Sequence, residues 1–282
     1  MIISVASGKG GTGKTTVSTG LVLSIKSLTD SKLKFIDCDV EEPNAHIFLK
    51  PQIKKIKSVY IKIPEIDEAN CNYCGKCSEI CAYNAISVTK NKVIIFSTLC
   101  HNCGGCLLLC PKKAITEINK EIGIIEIGNS DNFEFIHGIL NIGEIMSPAL
   151  IRELKEYINP DDTVIIDAPP GTSCPTIESV KGSDFCILVT EPTPFGLNDL
   201  ILTVEVMRKM NIPFGVIINR VNNEWHEIEN YCFKENIKIL MKISFDRKIA
   251  ESYSNGINII DSMPQYRKKF IQLYKYIKYT LN

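Results

Sequence analysis

The sequence has no excess of charge of either sign, since 32 Lys and Arg residues balance 32 Asp and Glu residues over 282 positions. A neutral chain gives no global reason to expect nucleic acid as a partner. The longest apolar runs fall far short of a membrane span. The chain also enters a strand pattern at once, with no charged and apolar leader. We therefore expect a cytoplasmic protein that has neither nucleic acid nor membrane as a partner.

Short apolar runs alternate with helical patterns along most of the chain. They are apolar on both faces, as are the strands of a parallel sheet that helices cover on each side. The runs are 2–6, 33–36, 164–166, 185–189 and 214–218, with 237–243 as a weaker case. Helical spacing follows the glycine-rich loop, begins again at Ser147 and Pro148 as cap and first residue, and recurs over about 197–210. We predict an α/β fold with a mostly parallel sheet and helices on both faces.

A glycine-rich loop lies between the first run and the first helical pattern. It reads Gly8-Lys9-Gly10-Gly11-Thr12-Gly13-Lys14-Thr15, with Thr16 next. In this strand–loop–helix context the pattern indicates a phosphate-binding Walker A motif rather than a plain turn. Backbone N–H groups would close on phosphate oxygens, Lys14 would add charge at the β- and γ-phosphates, and Thr15 would offer a hydroxyl to Mg²⁺. We predict a site for ATP and Mg²⁺.

The second lysine of the loop, Lys9, has two interpretations. It is either a solvated side chain or a group that reaches a phosphate in a facing subunit, as arginine fingers do elsewhere. Carboxylates also follow two of the predicted strands, at Asp37, Asp39 and Asp167. Mg²⁺ takes few protein oxygens and keeps several waters, so such carboxylates suit it. For Asp37 and Asp39 the alternative is that they cap the following turn.

Eight of the 12 cysteines stand in two runs of identical spacing, Cys-x₂-Cys-x₂-Cys-x₃-Cys, at 71–81 and 100–110. This is the spacing of bacterial two-cluster ferredoxins, in which the fourth cysteine of each run serves the other cluster. We expect two 4Fe–4S clusters, one on Cys71, Cys74, Cys77 and Cys110, the other on Cys81, Cys100, Cys103 and Cys106. Zinc is the rival metal, but structural zinc prefers paired Cys-x₂-Cys knuckles over a longer gap.

The cysteine runs interrupt the alternation of strands and helices. Between about 63 and 118 the chain has two similar halves and no long helical pattern, and a strand pattern at 121–127 follows. We expect a small inserted α+β domain of ferredoxin type, stabilised by metal rather than by a large core. The predicted division is a P-loop ATPase domain at 1–62 and 119–282, with the insert at 63–118.

The loop Gly8–Thr15 resembles the deviant Walker A motif of the MinD/ParA/Mrp and nitrogenase iron protein superfamily, and the cysteine runs narrow the resemblance to members with an inserted ferredoxin domain. It implies a nucleotide-sandwich dimer in which Lys9 crosses to the other subunit. It also implies that Asp39 polarises the attacking water, that Asp167 holds Mg²⁺ through water and that Gly171 senses the γ-phosphate.

The same resemblance covers the strand end at Asn219 and Arg220, where it implies that the asparagine reads the adenine edge. The catalytic residues are then Lys9, Lys14 and Asp39, and the Mg²⁺ site comprises Thr15, Asp39 and Asp167. Cys174 has the position of a switch cysteine that ligates a bridging cluster in the iron protein, although a small cysteine in a turn is the simpler interpretation. Cys38 and Cys186 are predicted to pack in strands.

Three functions follow from these features. The first is a homodimeric ATPase, or a heterodimer with a paralogue, that couples nucleotide state to electron transfer toward a redox or metallocofactor-assembly partner. The second is an iron–sulfur or metallocofactor carrier, although the Cys-x-x-Cys pair of Mrp-type carriers is missing and only Cys232 lies in that part of the chain. The third is a MinD-like positioning ATPase. We expect the amphipathic segment 266–281 to dock on the sheet rather than bind membrane.

Overall fold

The computed structural model of the protein describes residues 1–29, 31–222 and 225–281. Its strands are β1 (Ile2–Ala6), β2 (Leu33–Asp37), β3 (Gln52–Ile66), β4 (Ile86–Val88), β5 (Val93–Ile95), β6 (Ile115–Ser130), β7 (Phe133–Leu140), β8 (Thr163–Asp167), β9 (Phe185–Thr190), β10 (Phe214–Val221) and β11 (Ile239–Ser244). Its helices are α1 (Lys14–Ile25), α2 (Ala45–Leu49), α3 (Lys76–Glu79), α4 (Gly105–Leu109), α5 (Ser147–Lys155), α6 (Cys174–Val180), α7 (Pro194–Lys209), α8 (Glu227–Lys234), α9 (Arg247–Ser254), α10 (Ile259–Ser262) and α11 (Gln265–Leu281).

Nine strands form one sheet in the order β11-β10-β9-β1-β8-β2-β7-β6-β3. The strands from β11 to β7 are parallel to their neighbours. Only β6 runs antiparallel to both of its neighbours, β7 and β3. The predicted α/β fold with a mostly parallel sheet is confirmed, and the carboxyl ends of the parallel strands meet at one edge, where such folds bind ligands.

Helices cover both faces of the sheet because the central strands are apolar on both sides. Phe35 of β2 packs in the core beneath α1 and α11, and its neighbour Ile36 packs with α5 on the opposite face. A third core lies under α7 and α8. The division of each strand between two cores explains why the runs read as continuous apolar stretches.

The C-terminal helix α11 packs beside α1 on the same face of the sheet, as the amphipathic pattern predicts. Its buried residues are Tyr266, Phe270, Leu273, Tyr274 and Ile277. Gly20 of α1 permits the approach, since a Cβ there would lie 2.7 Å from Cε2 of Phe270. Within the described residues, no helix combines the length and the apolar character needed to cross a membrane.

Strands β3 and β6 form a long antiparallel hairpin that carries the cysteine-containing segment at its end. They are paired from Gln52 opposite Asn129 to Ile66 opposite Ile115, and residues 67–114, here called the cysteine segment, lie between them. The segment contains the short helices α3 and α4 and the small hairpin β4–β5. The predicted boundaries at 62/63 and 118/119 fall inside β3 and β6.

The two halves of the cysteine segment repeat each other in backbone conformation. Left-handed backbone occurs at the same place in each half, at Tyr73 and Asn102, at Gly75 and Gly104, and at Asn84 and Lys113. In both halves the glycine precedes a short helix. Non-glycine residues adopt this conformation only where the surroundings require it, so the internal repeat of the sequence is also a repeat of structure.

Two features differ from the sequence-based predictions. Helix α5 begins at Ser147 itself, with Met146 in the cap position and no side-chain cap hydrogen bond, so the predicted capping role of Ser147 is wrong. Strands β3 and β7 were not predicted. The first six residues of β3 are exposed on both faces, so this strand lacks the apolar alternation by which a half-buried strand is identified.

Candidate nucleotide site and cysteine segment

The glycine-rich loop joins β1 to α1 at the carboxyl edge of the sheet. Gly13 has φ 98° and immediately precedes Lys14, the first residue of α1. Only glycine adopts such a conformation freely. Gly8 is needed for a different reason, because a Cβ there would lie 2.5 Å from the carbonyl oxygen of Asp199. The loop therefore has the shape that a phosphate cradle requires, with Lys14 buried at its base.

A cavity of about 320 Å³ opens in front of this loop. Of the residues predicted to bind nucleotide or Mg²⁺, those that line it are Gly10, Gly11, Gly13, Lys14, Thr15, Thr16, Asp39, Asn219 and Arg220. The others, Gly8, Lys9, Thr12, Asp167 and Gly171, are not among the lining residues. Glu42, Pro170 and three residues of α9 (Ile249, Ala250 and Tyr253) line the cavity without having been predicted.

Two buried carboxylates lie side by side near the cavity. Asp37 at the end of β2 is opposite Asp167 at the end of β8. Both oxygens of Asp167 are buried without a hydrogen-bond partner. Burial raises the pKa of Asp167 to about 6, although the charge of Lys14 opposes the rise. Burial, and then the charge of Asp167, raise the pKa of Asp37 well above its ordinary value.

Asp37 and Asp39 have different surroundings. The carboxylate of Asp37 accepts hydrogen bonds from the backbone N–H groups of Asp39, at 3.0 Å, and Ala45, at 3.1 Å. Asp37 thus caps the following turn and α2, which is the alternative that the sequence left open. Asp39 instead faces the cavity, and burial raises its pKa to about 6 while Lys14 opposes the rise.

This arrangement of side chains fits a magnesium ion. Buried carboxylate oxygens without hydrogen-bond partners are costly unless a cation compensates them. Asp167 provides two such oxygens, Asp39 provides a carboxylate at the cavity, and Thr15 provides a hydroxyl at the first turn of α1. Few protein oxygens together with water are the usual environment of Mg²⁺ beside phosphates.

Lys9 does not line the cavity, and its ammonium group binds Glu191, the residue after β9. The second oxygen of Glu191 accepts a hydrogen bond from Nη1 of Arg220 at 3.0 Å. Glu191 therefore holds both cations within one protomer, and the side chain of Lys9 is 31% exposed. Sequence reasoning gave Glu191 no role, because its two partners are 182 and 29 positions away.

Two further predicted residues make internal contacts in this structure. The Asn219 amide donates to the carbonyl oxygen of Thr12 at 2.8 Å, and its oxygen accepts from the N–H of Arg220 at 2.9 Å. The amide thus ties the end of β10 to the glycine-rich loop. The N–H of Gly171 donates to the carbonyl oxygen of Ser7 at 2.9 Å, which fastens the turn after β8 to the start of the same loop.

The cysteine segment brings thiols from both runs to one cavity. This cavity is lined by Cys71, Cys74 and Cys77 of the first run and by Cys110 of the second. Backbone N–H groups donate to thiol sulfurs in matching positions, from Ala85 to Cys81 at 3.2 Å and from Ala114 to Cys110 at 3.3 Å. In the described chain, however, no three His, Cys, Asp or Glu side chains are close enough together to hold a metal ion.

Of the four cysteines outside the two runs, three are buried and one, Cys174, is exposed. Cys38 and Cys186 are fully buried next to or within strands, as predicted, and burial raises the pKa of each thiol to about 12. Cys232 is buried on α8. Cys174 is exposed at the first position of α6, so its side chain is accessible, and its predicted role remains a hypothesis.

A phosphate loop at the carboxyl edge of a mostly parallel sheet, beside buried carboxylates, defines the class of P-loop nucleotide-binding proteins. The chain belongs to the CobQ/CobB/MinD/ParA nucleotide-binding domain family, whose sequence model matches residues 3–259.

Relatives with similar sequences include proteins with and without an assigned function. An uncharacterized protein of Methanocaldococcus jannaschii is 34% identical over 283 residues, covering 99% of this chain and 96% of that protein. An iron-sulfur cluster carrier protein of Rickettsia felis is 25% identical and covers 96% of this chain and 69% of its own. The septum site-determining protein MinD of Pyrococcus horikoshii, solved with Mg-ADP, has a similar fold, with TM-score 0.60, 21% identity and coverage of 98% and 95%.

Proposed function

We propose that the protein is an ATP-hydrolysing switch whose nucleotide state controls electron transfer through two 4Fe–4S clusters in the cysteine segment. The observation that carries the proposal is the continuity of the sheet. β2 ends beside the nucleotide cavity and pairs with β7, β7 pairs with β6, and β6 continues to the cysteine segment. A movement at the end of β2 would therefore be passed through the sheet to the cysteine segment, which carries the thiols.

The residues of the nucleotide site would divide the work of hydrolysis. Backbone N–H groups of the loop and the charge of Lys14 would bind the β- and γ-phosphates. Thr15 and Asp167 would hold Mg²⁺, which neutralises phosphate charge when bound. Asp39 faces the cavity with a raised pKa and would orient the attacking water by accepting a hydrogen bond from it. These roles are supported by burial and position at the edge of the sheet.

The second lysine of the loop, Lys9, is the reason for proposing that the switch is a dimer, formed either by two copies of this chain or by this chain and a paralogue. In the single chain the ammonium group of Lys9 binds Glu191, so a role at the phosphates of a second subunit requires that this contact be given up. We expect Lys9→Ala to retain nucleotide binding but to lose ATP-dependent dimerisation and hydrolysis. Lys32→Ala, which removes an exposed lysine paired with Glu134 at 2.9 Å, is the matched control. Normal dimerisation and hydrolysis by Lys9→Ala would show that Lys9 has no role in a second subunit and serves only its contact with Glu191.

The donor chemistry of the cysteine segment supports iron–sulfur clusters. Two complete sets of four thiols are available, and hydrogen bonds from backbone N–H groups to cysteine sulfur are one of the means by which proteins tune cluster potentials. Full ligation by protein thiolates also favours clusters that stay bound through repeated one-electron transfer. The thiol side chains would have to turn toward a common centre in an assembled cluster, because among the described residues no three of them lie close enough together to hold a metal ion.

Anaerobic purification followed by iron and sulfide analysis tests this part of the proposal. Two 4Fe–4S clusters require about eight iron atoms per chain. Cys74→Ser and Cys103→Ser should each reduce the iron content and alter the EPR spectrum of the reduced protein, whereas Cys232→Ala should leave both unchanged. Zinc in place of iron in the purified protein would refute the cluster assignment. An EPR spectrum or potential that is identical with and without Mg-ATP would refute the coupling.

A second candidate function is transfer of a cluster to another protein. It is favoured by the relatives named iron-sulfur cluster carrier proteins and by the exposure of Cys74 and Cys103, one in each proposed cluster. In that case iron should leave the protein during ATP turnover with an acceptor protein lacking its cluster. An iron content that stays constant over many turnovers would favour electron transfer to a redox or metallocofactor-assembly partner instead.

A further inference from the structure

Helix α5 lies between α6 and the hairpin of β3 and β6. Helix α6 follows the turn after β8 at the nucleotide site, and the hairpin carries the cysteine segment. On one side the last residue of α5, Lys155, reaches the C-terminal end of α6. The Lys155 ammonium group donates to the carbonyl oxygens of Glu178, at 2.8 Å, and Ser179, at 3.3 Å, and also to that of Lys181. A cation at this end of a helix satisfies carbonyl groups that have no partner within the helix.

On its other side α5 packs directly on the strands of the hairpin. Leu150 lies so close to β6 and β7 that a Cβ on Gly123 would be 3.1 Å from it and one on Gly138 would be 3.2 Å from it. Glu153 binds Lys57 of β3 at 3.0 Å. The absence of side chains at the two glycines lets the helix rest on the backbone of the sheet, so the helix and the hairpin cannot shift independently without opening a gap.

The loop that precedes α5 extends this contact to the cysteine segment. The carboxylate of Glu144 binds the ammonium group of Lys120 on β6 at 2.6 Å. The side chain of Glu144 is 4% exposed. Lys120 also donates to the carbonyl oxygen of Ser97, within the cysteine segment, at 3.5 Å. The nearly buried carboxylate of Glu144 thus holds Lys120, which in turn contacts the cysteine segment.

We propose that α5 and its preceding loop, residues 141–155, transmit the nucleotide state from the turn after β8 to the cysteine segment, with Lys155 as the positioning residue at one end and Glu144 at the other. The proposal rests on the proposed coupling function and names the route of that coupling. Gly171 donates to Ser7 in the resting turn, and α6 begins three residues later. Because only two residues separate Gly171 from α6, we expect a rearrangement that moves Gly171 to displace the start of α6.

A displacement of α6 must be shared by α5 because of the position of Lys155. If the two helices moved apart, the half-buried ammonium group would lose three carbonyl partners at once, and a buried charge without partners is costly. The exposed pair between Arg152 and Glu178, at 3.7 Å, adds little by comparison. If the two helices move as one body, they would form a shared element whose position both sites bias, which is the physical requirement for coupling.

Hydrogen–deuterium exchange of the full, anaerobically purified chain tests the route. In the wild type, a non-hydrolysable ATP analogue with Mg²⁺ should change exchange both in the turn 168–173 and in the cysteine segment. Lys155→Met keeps the length of the side chain and removes its charge. We expect the change at 168–173 to remain and the change at 67–114 to fall by about tenfold, which corresponds to a loss of about 1.4 kcal/mol of coupling. Lys209→Met, an exposed lysine at the end of α7, is the matched control.

A second variant distinguishes a loss of coupling from a folding defect in Lys155→Met. Glu144→Gln leaves the contact between α5 and α6 intact and should uncouple the cysteine segment in the same way. A wild-type segment that ignores the nucleotide would refute the proposed coupling function itself. A wild-type segment that responds, together with unchanged responses in Lys155→Met and Glu144→Gln, would leave that function standing and refute the route through α5.

Discussion

A substitution at Asp167 measures how much its buried carboxylate lowers the free energy of unfolding. Its carboxylate is 1% exposed, and the charge of Lys14 and the nearby hydroxyls of Thr15 and Ser18 offset only part of the cost of burying it. Asp167→Asn keeps the shape of the side chain and removes the negative charge. We predict that the variant is more stable than the wild type without Mg²⁺ and has lost the stabilisation that Mg-ATP gives to the wild type.

The size of the effect follows from the change in pKa. Folding raises the pKa of the Asp167 carboxyl from 3.8 to about 6, and each pKa unit corresponds to about 1.4 kcal/mol. The ionised carboxylate therefore destabilises the folded protein by about 3 kcal/mol above pH 6. The asparagine amide must also be buried, which offsets part of this, so we expect a net gain of about 1–2 kcal/mol, or about 2–4 °C in Tm.

The pH dependence gives the sign of the effect. Because the folded pKa lies above the unfolded one, the penalty is absent below pH 3.8, grows as the pH rises to about 6, and is constant above that value. Urea denaturation with EDTA at pH 5 and pH 8 should therefore show a larger difference between variant and wild type at pH 8. Asp161→Asn, at an exposed aspartate, is the control. A variant that is less stable than the wild type at pH 8 would refute the reasoning.

Three further predictions concern the loop and the core. Gly8→Ala should abolish binding of a fluorescent ATP analogue, because the new Cβ meets the backbone of Asp199. Gly105→Ala, in the cysteine segment, where a Cβ would make only ordinary contacts, should bind normally, and equal binding by both variants would contradict the role given to Gly8. Asn219→Ala, which removes the tie to the loop carbonyl, should lower the free energy of unfolding by about 1–3 kcal/mol in urea titrations. Phe270→Ala, at a fully buried ring, should cost about 3–5 kcal/mol in the same assay, whereas exposed Phe233→Ala should cost almost nothing.

Strands β1, β2, β8, β9 and β10 could be predicted because each contains a run that is apolar on both faces. The same criterion fails at β3, where Lys54, Lys55 and Lys57 are exposed on a strand that extends beyond the core. The strand is held by backbone pairing with β6 over its whole length, and pairing partners 49 to 77 positions apart leave no local pattern.

Site residues that stand together in one motif could be predicted, whereas those brought together from distant segments of the chain could not. Lys14 and Thr15 stand in one motif and line the cavity as expected. The contact of Lys9 with Glu191, and the wall that Tyr253 and its neighbours on α9 contribute, depend on how α7 and α9 are placed at the edge of the sheet. No spacing within a motif encodes that placement, which is why sequence reasoning missed both.

The energy needed to switch the nucleotide site is small compared with what a nucleotide supplies. In the resting chain the N–H of Gly171 is bonded to Ser7, and Lys9 is bonded to Glu191. A typical hydrogen bond contributes about 0.5–1.5 kcal/mol net, and a partly exposed ion pair about 0–1 kcal/mol. Releasing both contacts costs a few kcal/mol at most, whereas a micromolar ligand provides about 8 kcal/mol. A ligand shifts a conformational equilibrium only by its differential affinity for the two states. The proposed contacts of the γ-phosphate with Gly171 and with Lys9 of a second subunit would therefore have to exceed this modest cost, and we expect ADP, which lacks the γ-phosphate, to leave the contacts with Ser7 and Glu191 in place.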